Sequence, residues 1–108
     1  MPRNLGDLEQ LVLLALVRLG DDAYGVTVQQ EITRRTGRTT AFTTVYTTLA
    51  RLESKGLVES FVGDPTPARG GRAKKHVVVT AEGRAVLKRS LRAIRSMAQG
   101  LGTSWSST

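Results

Sequence analysis

The fold of this chain is indicated first by residues 41–56, AFTTVYTTLARLESKG. Its larger aliphatic side chains recur at Val45, Leu49 and Leu52, which is the spacing of one buried face of an α-helix. The opposite face carries small polar and cationic side chains that need no burial: Thr44, Thr47, Thr48, Arg51 and Lys55. An exposed helix face of hydroxyls and cations can meet a polyanion. Gly56 follows where a left-handed residue is least costly, so it is predicted to end the helix.

A pair of strands is predicted after this helix. Residues 57–62, LVESFV, are rich in β-branched and aromatic side chains, and residues 76–80, HVVVT, read as a second strand. Between them, residues 63–72 hold glycines, prolines and two arginines, which predicts a turn. The order helix, strand, basic loop, strand is typical of a winged helix-turn-helix that reads DNA.

The first helix is predicted over residues 5–19, with Asp7 and Glu9 near its positive N-terminal end and Gly20 at its stop. Its apolar side chains cover far more than one stripe: Leu5, Leu8, Leu11, Val12, Leu13, Leu14, Ala15, Leu16, Val17 and Leu19. A helix that is apolar nearly all round must be buried nearly all round. In so short a chain we expect one face to pack on its own domain and another on a second copy.

The second helix is predicted over residues 23–35, with Val26, Val28 and Ile32 directed inward. The polar turn 36–40 then leads into the helix described first, so the two helices form a candidate helix-turn-helix. Helix pairs around a glycine-containing turn also occur in folds that never touch DNA.

The last helix is predicted to begin at Thr80, which serves as its N-cap, with Glu82 near the positive end of the helix dipole. Its apolar residues alternate in steps of four and three, the seam expected when one helix packs lengthwise along another: Leu87, Leu91, Ile94, Ala98 and Leu101. Cations surround this seam: Arg84, Lys88, Arg89, Arg92 and Arg95. They fit a solvated face, phosphate contacts or attraction for an acidic partner.

Composition bounds the possible functions. The 108 residues predict one small domain, mainly α with a small β-hairpin (α+β), divided into a winged helix-turn-helix (1–80), a C-terminal dimerisation helix (81–101) and a flexible tail (102–108). Sixteen Lys and Arg against nine Asp and Glu give a net charge of +7, which favours a nucleic acid or an anionic surface, although many small proteins are basic for solubility alone.

Several classes of protein are disfavoured. The chain has no cysteine, which excludes disulfides and thiolate zinc sites and fits a reducing cytoplasm. Its longest apolar run, residues 11–17, is far shorter than the roughly 20 residues of a membrane span. The single histidine, His76, lies in a predicted strand, and no catalytic constellation, metal set or cofactor motif surrounds it. We therefore expect a cytoplasmic protein that is not an enzyme and needs no cofactor or metal.

The DNA-binding candidates fall into two groups. On the helix, Arg51 can reach a base edge or a phosphate, and the threonines can bond phosphates or bases and give thymine methyl groups an apolar contact: Thr43, Thr44, Thr47 and Thr48. On the hairpin, four cations would lie along phosphates or enter a minor groove: Arg69, Arg72, Lys74 and Lys75. Gly70 and Gly71 could form a phosphate cradle, but a wing tip explains them better. A basic hairpin can also be merely solvated.

These motifs resemble the PadR family of bacterial transcriptional regulators, over about residues 5–100. The resemblance rests on four segments in order: LEQLVLLAL (8–16) with AYG (23–25), VYTTLARLESKGL (45–57), GGRAKK (70–75) and TAEG (80–83). It departs at residues 41–44, AFTT, where family members carry Ser-Pro-Gly, and at His76, Val77 and Val78, which replace aromatic residues.

The resemblance implies a homodimeric regulator, and the chain's length is similar to the subgroup with a single C-terminal helix. In that subgroup the first and last helices form the dimer, here Leu8, Leu11, Val12, Leu87, Leu91, Ile94, Ala98 and Leu101. Family effectors range from phenolic compounds to multidrug ligands near the dimer interface, which makes Trp105 a candidate stacking platform. Tyr24 and Lys55 join the DNA-binding candidates. The alternative function is a winged-helix adaptor that binds an acidic protein and has no operator.

Overall fold

The computed structural model describes residues 5–62 and 75–102, which form four α-helices and one antiparallel strand pair. In chain order these are α1 (Asp7–Leu19), α2 (Gly25–Thr36), α3 (Phe42–Ser54), β1 (Val58–Val62), β2 (Lys75–Val79) and α4 (Ala81–Ala98), with a 3-10 turn at Gly20–Asp22 between α1 and α2. The predicted α+β class is confirmed. The predicted turn at 63–72 lies outside the described residues.

Local signals set the ends of these helices. Gly56 has a φ of +75°, so it adopts the left-handed conformation predicted for it at the end of α3. The Thr80 hydroxyl accepts a hydrogen bond from Gly83 N at 3.0 Å, which confirms the N-cap of α4. The last helix ends at Ala98 rather than at Leu101, because Gly100 follows with a φ of +88°.

The core lies where α1, α2 and α3 meet the inner face of the hairpin. Its most enclosed side chains come from all of these elements: Val12, Leu13, Val28, Val45, Leu52, Leu57 and Val58. Val86 and Leu87 belong to the same core, so the first half of α4 packs with the elements that precede it. The division of the chain at residue 80 stays a prediction.

The hairpin is fixed to the helices through its backbone. β1 and β2 pair antiparallel, with Ser60 opposite Val77 and Phe61 opposite His76. Val77 N also donates to the carbonyl of Ala23 at 3.0 Å, so the segment before α2 is bonded to β2. The position of the wing is therefore coupled to the start of the helix-turn-helix.

Two predicted dimer contacts and one predicted core residue are wrong. Val12 is fully buried and Leu87 is 5% exposed, because both pack inside the protomer's own core and present no surface to a second copy. Val26 was expected inside but is 43% exposed, because it lies one residue after the start of α2 and two before the inward-facing Val28.

The second half of α4 leaves the core. Leu91 still packs against the core, but Ile94 and Met97 are 54% and 81% exposed, and Leu101 beyond the helix is also exposed. Ala98 lies on the same exposed stretch.

On α1, Leu8 and Leu11 are only partly buried. The described part of the chain thus leaves an apolar surface on its first and last helices.

Candidate nucleic-acid interface

Helix α3 separates a buried aliphatic face from an exposed polar one. Val45, Leu49 and Leu52 face the core, as their spacing predicted. The exposed stripe, here called the reading face, comprises Thr43, Thr44, Thr47, Ala50 and Arg51. These positions follow one another at helical spacing, so a groove of suitable width could meet all of them at once.

Thr48 does not belong to the reading face, and its predicted DNA contact is wrong. Its side chain is buried, and its hydroxyl donates to the Thr44 carbonyl at 2.8 Å. The hydroxyl of a buried threonine inside a helix is satisfied by this internal bond. The helical rotation places residue 48 on the side of Leu52 rather than of Thr47.

The N-terminal end of α3 is held against α2. Within α3, the Phe42 and Tyr46 rings meet edge to face with centroids 4.9 Å apart, and both lie beside Gly25 of α2. A Cβ atom at Gly25 would lie 3.2 Å from the Phe42 ring, so glycine at this position allows the two helices to approach closely. Gln29 Nε2 also donates to the carbonyl of Thr40 at 2.7 Å, which ties α2 to the turn before α3.

The C-terminal end of α3 is held by a charge pair to α1. Lys55 Nζ donates to Glu9 Oε2 at 2.8 Å, and Gly6 N donates to Glu9 Oε1 at 2.8 Å. The Glu9 side chain is only 8% exposed, whereas that of Lys55 is 31% exposed. The carboxylate of Glu9 therefore neutralises part of the Lys55 charge within the protomer. The predicted contact of Lys55 with DNA stays a prediction.

The pKa of Glu9 reflects this arrangement. Burial raises the pKa, but hydrogen bonds from Lys55 and Gly6, together with the charges of Lys55 and Arg51, outweigh burial and hold it below the ordinary 4.5. Because the folded pKa is lower than the unfolded one, the stability contributed by this carboxylate is present above pH 4.5. It is lost as the pH falls through the lower, folded value.

Replacing Glu9 by glutamine should remove this contribution. We expect Glu9→Gln to lower the free energy of unfolding by about 2 kcal/mol near neutral pH, since a hydrogen bond to a charged group is lost. The difference from the wild type should shrink as the pH falls below 4.5. Urea unfolding followed by circular dichroism at a series of pH values measures both effects.

The control for this experiment is Glu59→Gln, which removes an exposed carboxylate from β1. It should change stability by less than about 0.5 kcal/mol. A Glu9→Gln deficit that stays constant with pH would show that the Glu9 charge does not hold α1 to α3.

Among the described residues, the two strands contribute one lysine or arginine side chain to the candidate interface. Lys75 is exposed at the start of β2, opposite Val62. Arg69, Arg72 and Lys74, together with the Gly70 and Gly71 pair, lie outside the described residues. Their predicted contacts with phosphates therefore stay predictions.

An aromatic cluster lies on the outer face of the hairpin. His76 stacks on Phe61 with ring centroids 5.6 Å apart and meets Tyr24 edge to face at 6.2 Å. Tyr24 is the N-cap residue of α2 and is half-buried. These contacts give His76 and Tyr24 a packing role, and the DNA contact predicted for Tyr24 remains a prediction.

The described residues contain neither a metal site nor a membrane-spanning helix. Within residues 5–62 and 75–102, no three His, Asp or Glu side chains converge as a metal site requires. None of the described helices combines the length and the apolar character needed to cross a membrane. Trp105, the candidate effector platform, lies outside the described residues.

Sequence reasoning missed three residues that position the reading face: Glu9, Gly25 and Phe42. In the sequence, Gly25 stands out only as half of a Tyr-Gly motif, and its closeness to the Phe42 ring depends on how α2 crosses α3. The sequence position of Glu9 indicates only a favourable charge at a helix start. Its partner Lys55 lies 46 residues later in the chain, and no local pattern could connect them.

Comparison with known proteins identifies a matching family and a relative of this chain. The model of the Transcriptional regulator PadR-like family matches residues 13–89. An uncharacterized protein of Lysinibacillus sphaericus is 33% identical over 84 residues, which are 76% of this chain and 72% of that protein.

Solved structures agree with the family match. A PadR family transcription regulator from Clostridium difficile R20291 superposes with a TM-score of 0.76 at 23% identity, covering 93% of this chain and 99% of that one. A PadR family transcriptional regulator from Eggerthella lenta DSM 2243 is 27% identical with a TM-score of 0.69, covering 94% and 88% of the two chains. The family match and the shared winged-helix fold agree, and the chain therefore belongs to the PadR-like family of transcriptional regulators, which are DNA-binding proteins rather than enzymes.

Proposed function

We propose that this protein is a sequence-specific transcriptional repressor that binds a pseudo-palindromic operator as a homodimer. The observation that carries the proposal is the reading face of α3. Thr43, Thr47 and Arg51 remain exposed along one side of a helix that is anchored at both ends, through Gln29 before it and Glu9 after it. A helix held in this way can enter a major groove without losing its own packing.

The apolar surface on α1 and α4 supports the homodimer. Ile94 and Met97 expose large side chains to water, and Leu8 and Leu11 on α1 are only partly covered by the protomer. Exposed apolar patches are typical of interaction sites. A second copy would cover this surface with the same residues, which is the arrangement of a two-fold symmetric dimer.

Two-fold symmetry would duplicate the reading face. Two copies of α3 related by a dyad would meet half-sites about 34 Å apart or at a multiple of that distance. The operator would then be pseudo-palindromic. Occupying such a site over a promoter would exclude the transcription machinery, and this is the basis for proposing repression.

We extend the proposal to a small-molecule effector on the basis of the family resemblance. A groove of about 140 Å³ between α1 and α2 is lined by Leu11, Leu14 and Ile32 together with Arg18 and Arg35, and it is smaller than a typical pocket for a drug-sized ligand. It lies beside the proposed dimer surface. An aromatic or multidrug-type ligand would release DNA only if it bound the two states of the dimer unequally.

Salt and sequence dependence test the DNA-binding proposal against the adaptor alternative. Binding to a fragment of the gene's own upstream DNA should weaken steeply with salt and should exceed binding to random DNA. We expect Arg51→Ala to alter the preference between base sequences, while Lys75→Ala should weaken all DNA about equally and lower the salt slope by about one. Fluorescence anisotropy over a salt series measures these quantities.

The matched control is Arg18→Ala, which removes the same charge from the α1–α2 groove away from the reading face. It should leave the sequence preference unchanged. Equal and feeble binding to upstream and random DNA would favour the adaptor. An Arg51→Ala protein with unchanged affinity and preference would remove α3 from the proposed interface.

A further inference from the structure

The hydroxyl of Thr47 is already occupied within its own helix. Its Oγ1 donates to the carbonyl oxygen of Thr43 at 2.9 Å. A threonine hydroxyl has one hydrogen to donate, so Thr47 has none left for a ligand. What its exposed side chain still offers is a methyl group and an acceptor oxygen.

The neighbour of Thr47 on the reading face has no polar group at all. Ala50 is exposed and lies three residues further along α3, which makes the two side chains adjacent on the helix surface. The middle of the reading face is therefore without hydrogen-bond donors. Donors flank it, since the Thr43 and Thr44 hydroxyls have no partner among the described residues and Arg51 follows on the other side.

A donor-free surface discriminates between base edges in the major groove. Guanine presents only acceptors there, so it gains nothing from Thr47 or Ala50. Thymine presents a C5 methyl group, which gains from apolar contact and has no counterpart on cytosine. Among the four bases, thymine is the one that matches a pair of exposed methyl groups.

We propose that Thr47, with Ala50 beside it, selects a thymine in each operator half-site through its methyl group rather than through its hydroxyl. This inference rests on the proposed sequence-specific DNA binding. It assigns Thr47 a role distinct from Arg51, which would form hydrogen bonds or charge contacts.

The test separates the methyl group from the hydroxyl on both sides of the contact. Thr47→Val keeps the methyl and the branched shape but loses the hydroxyl, whereas Thr47→Ser keeps the hydroxyl and loses the methyl. The operator is first recovered from a random pool by the wild-type protein. Each thymine of the half-site is then replaced in turn by deoxyuridine, which lacks only the C5 methyl group.

The protein and DNA changes together form a double-mutant cycle. Removing one buried methyl contact should weaken binding about fourfold per half-site, or about fifteenfold when both half-sites are changed. The wild type should therefore lose affinity when one particular thymine of the half-site is replaced by deoxyuridine. Thr47→Ser should show the same loss on the unmodified operator, and the deoxyuridine replacement should weaken its binding no further. Thr47→Val should stay within about twofold of the wild type on thymine and remain sensitive to deoxyuridine.

Three results would overturn the inference. If Thr47→Val bound the operator weakly while Thr47→Ser bound it as tightly as the wild type, the hydroxyl would be the group that reads the base. A wild type indifferent to deoxyuridine at every position would show that no thymine methyl is read. If the wild-type protein recovered no preferred sequence from the random pool, the proposed sequence-specific DNA binding would itself be contradicted. This outcome can be told apart from a failure of the Thr47 inference, because it is observed before any Thr47 variant is tested.

Discussion

Replacing Gly83 by alanine is expected to destabilise the protein by about 3 kcal/mol or more, or to prevent folding. A Cβ atom at this position would lie 2.1 Å from the carbonyl oxygen of Leu57 and 2.9 Å from Val79 Cγ1. The Leu57 carbonyl cannot yield easily, because Leu57 is fully buried and its oxygen accepts from Thr80 N at 3.0 Å. Helix α4 would have to move off the hairpin.

The direction of this effect is diagnostic. In an exposed helix position, alanine stabilises by about 1 kcal/mol relative to glycine, so a clash must reverse the usual order. Thermal unfolding followed by circular dichroism should show a melting temperature lower by about 12 to 24 °C for a loss of that size.

Ala85→Gly is the matched control on the same helix. Ala85 is exposed, so this change should cost only the propensity difference of about 1 kcal/mol. All variants need the same protein concentration, because dimerisation would couple stability to concentration. A Gly83→Ala protein as stable as the wild type would mean that α4 does not lie against Leu57.

The double substitution Ile94→Asp, Met97→Asp is expected to give a folded monomer that has lost at least about a hundredfold in operator affinity. Both side chains are largely exposed in the protomer, so charging them should leave its core intact. In a dimer they would bring like charges into an apolar interface. The large effect on DNA follows because two linked half-site contacts become one.

Sedimentation velocity measures the first effect, and anisotropy with the full operator measures the second. Leu91 is left unchanged because it packs against the protomer core, and charging it would confuse unfolding with dissociation. The control, Ala85→Asp with Ser96→Asp, places two charges on the opposite side of α4 and should remain dimeric. A dimeric Ile94→Asp, Met97→Asp protein would move the interface to another surface.

Much of the fold could be predicted because the relevant signals are local. The spacing of Val45, Leu49 and Leu52 identified the buried face of α3, and Gly56 and Thr80 marked two helix boundaries. Each of these signals depends on residues a few positions apart. The exposure of Thr43, Thr44, Thr47 and Arg51 followed from the same periodicity.

The wrong predictions concern residues whose burial depends on packing between segments that are distant in the chain. Thr48 shares its residue type with Thr47, yet a single step around the helix buries it. Val12 and Leu87 belong to apolar patterns that extend around their helices. Which members of such a pattern face the protomer core and which face outward depends on the crossing of α1, α3 and α4.

Local sequence patterns predicted the order of helices and strands, the winged-helix class and the polar character of the α3 surface, because periodicity and caps act between near neighbours in the chain. By contrast, the pairing of Glu9 with Lys55 across 46 residues and the need for glycine at position 83 result from the packing of the folded chain. Contacts of this kind depend on which distant atoms meet at a given point. That is a property of packing in three dimensions, and no local pattern encodes it.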